Sequence, residues 1–205
     1  SESEHRLTIL ILISIIVGII LGLTLLKSGY LPIIEVVTTY ALAALLFGVG
    51  VDIGLNKEAF RELKILGFKI ILIPILIVLG TFLGTYVAGL FLNMVAQDAL
   101  AVGAGFGWYS LSAVLITKIH SVELGSIAFL TNVFRELLAL FLIPILAKGH
   151  NKMIVVAPGG ATTMDTTLPL ISKSVAEKEV VAVAFISGAV LSSMVPLLVP
   201  LLIKI

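Results

Sequence analysis

The sequence predicts an all-α integral membrane protein with about five transmembrane helices and two further segments that are broken or re-entrant helices. The chain has 205 residues, of which 60% are hydrophobic and only 12% are charged, and its mean hydropathy is +1.22. Soluble domains average about 45–50% apolar and about 25% charged residues. This composition excludes a soluble globular enzyme and predicts a lipid bilayer as the surrounding medium.

Net charge and cysteine content exclude further classes. The formal net charge of +1 provides no basic field for nucleic acid. The absence of cysteine excludes disulfides, thiolate nucleophiles and cysteine-ligated metal centres. The three histidines are scattered along the chain, so we predict neither a metal cluster nor a cofactor.

Five uniformly apolar runs are long enough to cross about 30 Å of hydrocarbon as helices. They are Leu7–Leu26, Pro32–Gly50, Ile70–Leu92, Leu124–Ala147 and Val180–Ile203. None shows the period-2 alternation of a barrel strand, so we predict five transmembrane helices.

Two further stretches, Ala99–Thr117 and Met153–Lys173, are interrupted by glycine, proline and hydroxyl residues. Irregular backbone persists at membrane depth only where it is buried in protein or lines a wet cavity. We therefore interpret both stretches as re-entrant or broken helices. The alternative is that both are complete but interrupted spans.

Lysine and arginine residues predict the orientation in the cell membrane. The loop after the second span carries Lys57, Arg61 and Lys64, and the positive-inside rule places it in the cytoplasm. If Ala99–Thr117 re-enters, Lys148 is cytoplasmic too. This topology places the N-terminus inside and the C-terminus outside the cytoplasmic membrane.

The chain also repeats itself, because residues 103–148 align without gaps on residues 159–204. The alignment pairs Gly103 with Gly159, Glu123 with Glu179 and Pro144 with Pro200. Under the predicted topology the two copies have opposite orientations, an arrangement that recurs in secondary transporters with broken helices. We divide the single transmembrane domain, residues 1–205, into three spans (1–92) and two repeat units (99–148 and 153–205).

Glu136 lies in the middle of the fourth span, where a charged side chain costs about 2.5–3.5 kcal/mol on insertion scales. Asn132 lies one turn earlier on the same face. We interpret Glu136 as a cation or proton site facing a polar cavity. The alternative is a structural pair with Arg135, which adjacent helical positions disfavour, and Arg135 is itself a candidate counter-charge for a substrate carboxylate.

The second broken stretch concentrates oxygen ligands around Asp165. Its candidate binding hydroxyls are those of Thr162, Thr163 and Thr166. Oxygen-rich segments that interrupt a helix suit Na⁺ or an ammonium group, with Asp165 and Thr163 as the candidate Na⁺ ligands. The alternative is a solvated surface loop with a helix cap.

The first broken stretch offers exposed helix ends and close backbone approach. Its candidate substrate-path residues are Trp108, Tyr109, Ser110 and Ser112. The aromatic pair is suited to a cation–π contact, and the alternative is an interfacial aromatic belt.

Three motifs occur in order along the chain: GAGFGWYSLS (103–112), NVFREL (132–137) and GATTMDTTLP (160–169). Their sequences, order and spacing are together similar to those of the lysine exporter LysO family. The resemblance covers nearly the whole chain and implies export of L-lysine and toxic lysine analogues across the cytoplasmic membrane. The functional intramembrane acids of the family match Glu136 and Asp165.

Full-length bacterial members of that family resemble this chain only in their C-terminal two-thirds and carry a further hydrophobic N-terminal part. The resemblance therefore implies either a homodimer or a separate N-terminal partner chain.

The chain contains no nucleotide-binding motif, so we expect a secondary exporter coupled to an H⁺ or Na⁺ gradient. The alternatives are a Na⁺/H⁺ antiporter, a carrier of another amino acid, or a subunit of a larger split transporter. An intramembrane enzyme is disfavoured, because neither a nucleophile nor a metal site accompanies the two acids.

Overall fold

A computed structural model describes residues 67–204 and, before them, residues 16–24 and shorter stretches between residues 13 and 65. The chain divides into two compact units, Ser1–Asp52 and Ile53–Ile205. The predicted spans Leu7–Leu26 and Pro32–Gly50 are described only in part, and residues 16–24 of the first are helical. Within the described residues every regular element is a helix, which confirms the all-α class.

Three helices in the second unit are long and apolar enough to cross a membrane. They are α1 (Leu72–Phe91), α4 (Val122–Leu146) and α7 (Lys178–Lys204). They coincide with the third, fourth and fifth predicted spans. Each has at least 20 residues, which at 1.5 Å per residue gives about 30 Å or more. The protein is a membrane protein whose large apolar side chains, such as Phe91 and Phe141, point outward.

Shorter helices fill the intervals between the long ones. They are α2 (Ala96–Gly103), α3 (Tyr109–Ile119), α5 (Val156–Gly159) and α6 (Leu168–Ser174). Stretches of 3-10 helix cover Gly67–Ile71, Lys152–Val155 and Gly160–Met164. Both stretches expected to be broken are therefore interrupted helices. We call residues 104–108 the first break and residues 160–167 the second break.

Local sequence explains where α4 begins. The Ser121 hydroxyl accepts a hydrogen bond from the Leu124 N–H at 3.1 Å, which caps the first turn. Glu123 lies in that first turn, where the positive end of the helix dipole favours an acid. The cap directs the chain straight from α3 into α4, and these two helices pack side by side along their length.

Helices α2 and α3 form a hairpin whose two ends meet. Near the start of α2, Asp98 Oδ1 lies 3.7 Å from Nε2 of His120, which follows α3. At the other end the chain is buried from Ala101 to Gly107, which includes all of the first break except Trp108. The chain therefore enters and leaves this hairpin at one end and turns back at a buried tip. Whether the tip lies inside a bilayer stays a prediction.

The two predicted repeat units share one order of elements. Each has a short helical segment, a break, a second short helix and then a long helix. In the first unit these elements are α2, the first break, α3 and α4. In the second unit they are α5 with its flanking 3-10 turns, the second break, α6 and α7. The inverted relation between the units stays a prediction.

Helix α7 approaches the second break so closely that only glycine fits at position 188. A β-carbon there would overlap the Met164 backbone nitrogen and lie 2.7 Å from Thr163 Oγ1. The Thr163 hydroxyl lies 2.7 Å from the Ala184 carbonyl oxygen, one turn earlier on the same helix. This contact fixes the second break against α7.

We predict that Gly188→Ala lowers the thermal stability of the detergent-solubilised protein, because the added methyl group must displace backbone rather than a flexible side chain. Overpacking of this kind costs about 1–3 kcal/mol. Gly84→Ala on α1 is the control, since no described atom lies within 4 Å of its β-carbon position. Equal melting temperatures for the two variants would contradict the close approach.

Candidate functional site

The two breaks cross each other backbone to backbone. The Ala161 N–H donates a hydrogen bond to the Phe106 carbonyl oxygen at 2.8 Å. Gly160, at φ +60°, and Gly107, at φ +99°, adopt backbone conformations that L side chains rarely reach. A β-carbon on Gly107 would lie 3.1 Å from the Gly159 carbonyl oxygen. Glycine is therefore required on both sides of the crossing.

Asn132 of α4 holds the first break. Its Oδ1 accepts the Gly107 N–H at 2.7 Å, and its Nδ2 donates to the Val102 carbonyl at 3.1 Å and the Ala128 carbonyl at 2.9 Å. The side chain is only 2% exposed. The assignment of Asn132 as a binding residue stays a prediction; in the structure its amide satisfies backbone groups that the break leaves without helical partners.

Arg135, one turn later on α4, binds backbone carbonyls of α5, the short helix just before the second break. Its Nε donates to the Pro158 carbonyl at 3.1 Å, and one Nη donates to the Ala157 carbonyl at 3.3 Å. The other Nη donates to Thr81 Oγ1 on α1 at 3.0 Å. The expected alternative, a structural pair with Glu136, is not among the hydrogen bonds and ion pairs found for Arg135 in the described residues.

Glu136 faces the second break rather than Arg135. Thr166 is the hydrogen-bonding neighbour of its carboxyl group, and Asp165 lies close enough for the two charges to interact. Tyr109, at the start of α3, lies within the electrostatic reach of both acids. The structure thus brings together Glu136, Asp165, Thr166 and Tyr109.

The hydroxyls of the second break divide between buried and exposed positions. Thr163 is fully buried, and its Oγ1 lies 2.8 Å from the Gly160 carbonyl oxygen and close to that of Ala184. Thr162 is also buried and contacts the Gly159 carbonyl at 2.9 Å. Asp165 and Thr166 are exposed, and the Thr166 N–H donates to Asp165 Oδ1 at 2.6 Å. The assignment of Na⁺ to Asp165 and Thr163 stays a prediction.

The candidates of the first broken stretch also divide. Ser112 is buried and its hydroxyl donates to the Trp108 carbonyl at 2.9 Å, while Trp108 itself is the residue that precedes α3. Tyr109 packs edge-on against Phe129, with ring centroids 5.4 Å apart. Ser110 is exposed. Tyr109 is the member of this group that lies beside the acids.

Thr81 is a site residue that the motifs did not indicate. It accepts a hydrogen bond from Arg135 across 54 positions of sequence. The available signal was weak: Thr81 is one of two threonines within an otherwise apolar span. A long-range hydrogen bond of this kind has no local sequence pattern.

A cleft of about 470 Å³ opens between α1, Arg135 and the segment before the second break. Thr81 and Arg135 provide polar groups on its wall. The rest of the wall is mainly apolar and includes Ile77, Met153 and Ile154. Glu136 and Asp165 are not among its lining residues, so the cleft and the acidic pair are separate features of the site.

Comparisons with known proteins agree with the motif resemblance. The family described as "Lysine exporter LysO" matches residues 12–203. The chain is 35% identical over 188 residues to a "Putative lysine exporter" of Haemophilus influenzae, covering 92% of this chain and 94% of that protein. It is 31% identical over 185 residues to "Lysine exporter LysO" of Escherichia coli, covering 90% of this chain but 60% of that longer protein. No solved structure matches the chain significantly.

We predict that Asn132→Ala destabilises the fold, because it leaves the Gly107 N–H and the Val102 carbonyl buried without this partner. Each buried polar group left unsatisfied costs about 1–3 kcal/mol. Thermal unfolding in detergent measures the loss. Asn151→Ala is the control, since Asn151 is exposed and its carboxamide accepts only the Met153 N–H within the described residues. A normal melting temperature for Asn132→Ala would show that the first break does not depend on this amide.

Proposed function

The chain belongs to the lysine exporter LysO family, and on that premise we propose that it exports L-lysine and toxic lysine analogues across the cytoplasmic membrane. The family match over residues 12–203 supports the proposal. So do the names of the two relatives from Haemophilus influenzae and Escherichia coli.

The observation that carries the proposal is the meeting of Glu136 and Asp165 beside the crossing of the two breaks. Two carboxylates near one another attract cations, and L-lysine presents two ammonium groups. In this proposal the acids bind a lysine ammonium group or a coupling cation. Tyr109 lies next to both acids and offers a polarised ring to the same cation.

The energy source in this proposal is an H⁺ or Na⁺ gradient. Carboxylates at the crossing of broken helices can exchange one cation for another, which is the basis of secondary transport. The proposed topology keeps both broken segments re-entrant, with the two repeat units inverted, the N-terminus inside and the C-terminus outside. The Asp98–His120 approach, which joins the two ends of the α2–α3 hairpin, supports re-entry of the first segment.

A second candidate is a subunit of a larger transporter. The chain spans 60% of the length of the Escherichia coli relative. The Haemophilus influenzae relative is matched over 94% of its length. Lysine flux from the purified chain alone would decide between a complete exporter and a subunit of a larger one.

A Na⁺/H⁺ antiporter or another amino-acid carrier would give no lysine-dependent ion movement.

The direct test is flux of radiolabelled L-lysine in proteoliposomes with H⁺ and Na⁺ gradients imposed separately. We expect lysine to move against its own gradient when one of the two ions is supplied. If neither gradient drives lysine accumulation, the secondary mechanism is wrong. If no lysine moves at all, the lysine assignment is wrong.

We predict that Glu136→Gln and Asp165→Asn each reduce lysine flux at least tenfold without loss of the folded protein, because the amide keeps the shape but removes the negative charge. Glu123→Gln is the matched control, since Glu123 is an exposed acid on the first turn of the same helix. Size-exclusion profiles and melting temperatures check folding. Unchanged flux in both site variants would refute the assignment of the acids.

A further inference from the structure

The positive charge of Arg135 is surrounded by neutral acceptors. A guanidinium has five N–H groups, and those of Arg135 make three hydrogen bonds, to two carbonyl oxygens and one hydroxyl. Two N–H groups therefore remain. Burying a cation in apolar surroundings is costly unless an anion accompanies it. The local arrangement is thus suited to an anion that approaches the remaining donors.

Thr81 adds a further donor beside Arg135. Its Oγ1 accepts from the guanidinium at 3.0 Å, which leaves the hydroxyl proton available. Within the described part of the chain this proton has no acceptor among the hydrogen bonds found. The two N–H groups and the hydroxyl together provide three donors on two residues that line the cleft.

The cleft is of the right size and chemistry for one end of an amino acid. Its volume of about 470 Å³ lies in the range of small-molecule sites, about 300–1,000 Å³. No acidic side chain is among its described lining residues, so the wall does not neutralise Arg135 itself. The apolar side chains Ile77 and Met153 lower the local polarity of the wall, and a charge-assisted hydrogen bond is stronger in less polar surroundings.

We propose that this cleft binds the α-carboxylate of the transported amino acid, with Arg135 and Thr81 as its two donors. The inference rests on the proposed lysine export and adds a specificity-determining subsite to it. Side chains of neighbouring residues on a helix point about 100° apart, so those of Arg135 and Glu136 point in different directions. The carboxylate end and an ammonium end of one substrate are then recognised by separate groups.

The test compares ligands that differ in the carboxylate. L-Lysine, L-lysinamide and cadaverine carry similar ammonium groups, but only L-lysine carries a carboxylate. We expect unlabelled L-lysine to inhibit labelled lysine flux in proteoliposomes at concentrations about tenfold lower than the other two compounds, as the loss of a charge-assisted hydrogen bond predicts. Equal inhibition by L-lysine and L-lysinamide would overturn the proposal.

Variants of the cleft residues test whether the preference for L-lysine over L-lysinamide depends on the cleft. Thr81→Val keeps the shape of the side chain and should raise the half-saturating lysine concentration about three- to tenfold, while inhibition by L-lysinamide stays unchanged. Thr85→Val is the matched control one turn away, because the Thr85 hydroxyl donates to carbonyls of its own helix. Arg135→Gln should abolish the preference for L-lysine. If it does not fold, Thr81→Val decides alone.

The outcomes separate the two proposals. If the wild-type protein moves lysine but Thr81→Val behaves like Thr85→Val, the carboxylate subsite is wrong and lysine export stands. If the wild-type protein moves no lysine under either gradient, both proposals fall together.

Discussion

The crossing of two interrupted helices is the constraint on which the site depends. One backbone hydrogen bond, from Ala161 to the Phe106 carbonyl at 2.8 Å, joins the breaks directly. Backbones can approach this closely only without β-carbons, and Gly107 and Gly160 meet that requirement with positive φ angles. Phe106 also has a positive φ of 47°, an uncommon conformation for an aromatic residue. Its ring is fully buried and packs 5.9 Å from the Phe82 ring, which holds this conformation in place.

Three polar residues within little more than one turn of α4 have two kinds of role. Asn132 provides hydrogen bonds in place of those that the backbone of the first break loses. Arg135 likewise donates to backbone carbonyls of α5, just before the second break. Glu136 instead turns toward Asp165 and Thr166. A break at membrane depth is stable only when its backbone groups find partners, so the two supporting side chains are a condition for the irregular backbone that surrounds the acids.

The architecture could be predicted from local signals in the sequence, whereas the partners of the polar residues could not. Uniform apolar runs predicted α1, α4 and α7, and glycine and proline predicted the two interruptions, because both signals are local. Polar residues in an apolar span indicate function, and on that ground Asn132 and Arg135 were predicted as ligands, which stays a prediction. What the sequence did not indicate is that both side chains bind backbone groups of the interrupted segments. Their hydrogen bonds join positions from 20 to 54 residues apart as well as local ones, and no local pattern encodes such pairs. The importance of Thr81 follows only from the structure for the same reason.

The bonds at the crossing also constrain how the site can move. Separating the breaks would leave the Ala161 N–H without the Phe106 carbonyl, at a cost of about 1–3 kcal/mol where water is absent. A break that also moved away from α4 would lose either the Gly107–Asn132 bond or the bonds from Arg135. Thr163 and Gly188 add the contact that binds the second break to α7. A motion that carries the crossing together with α4 and α7 keeps all of these bonds. Any change of access to the acids is therefore less costly when the surrounding helices move against the crossing than when the breaks separate.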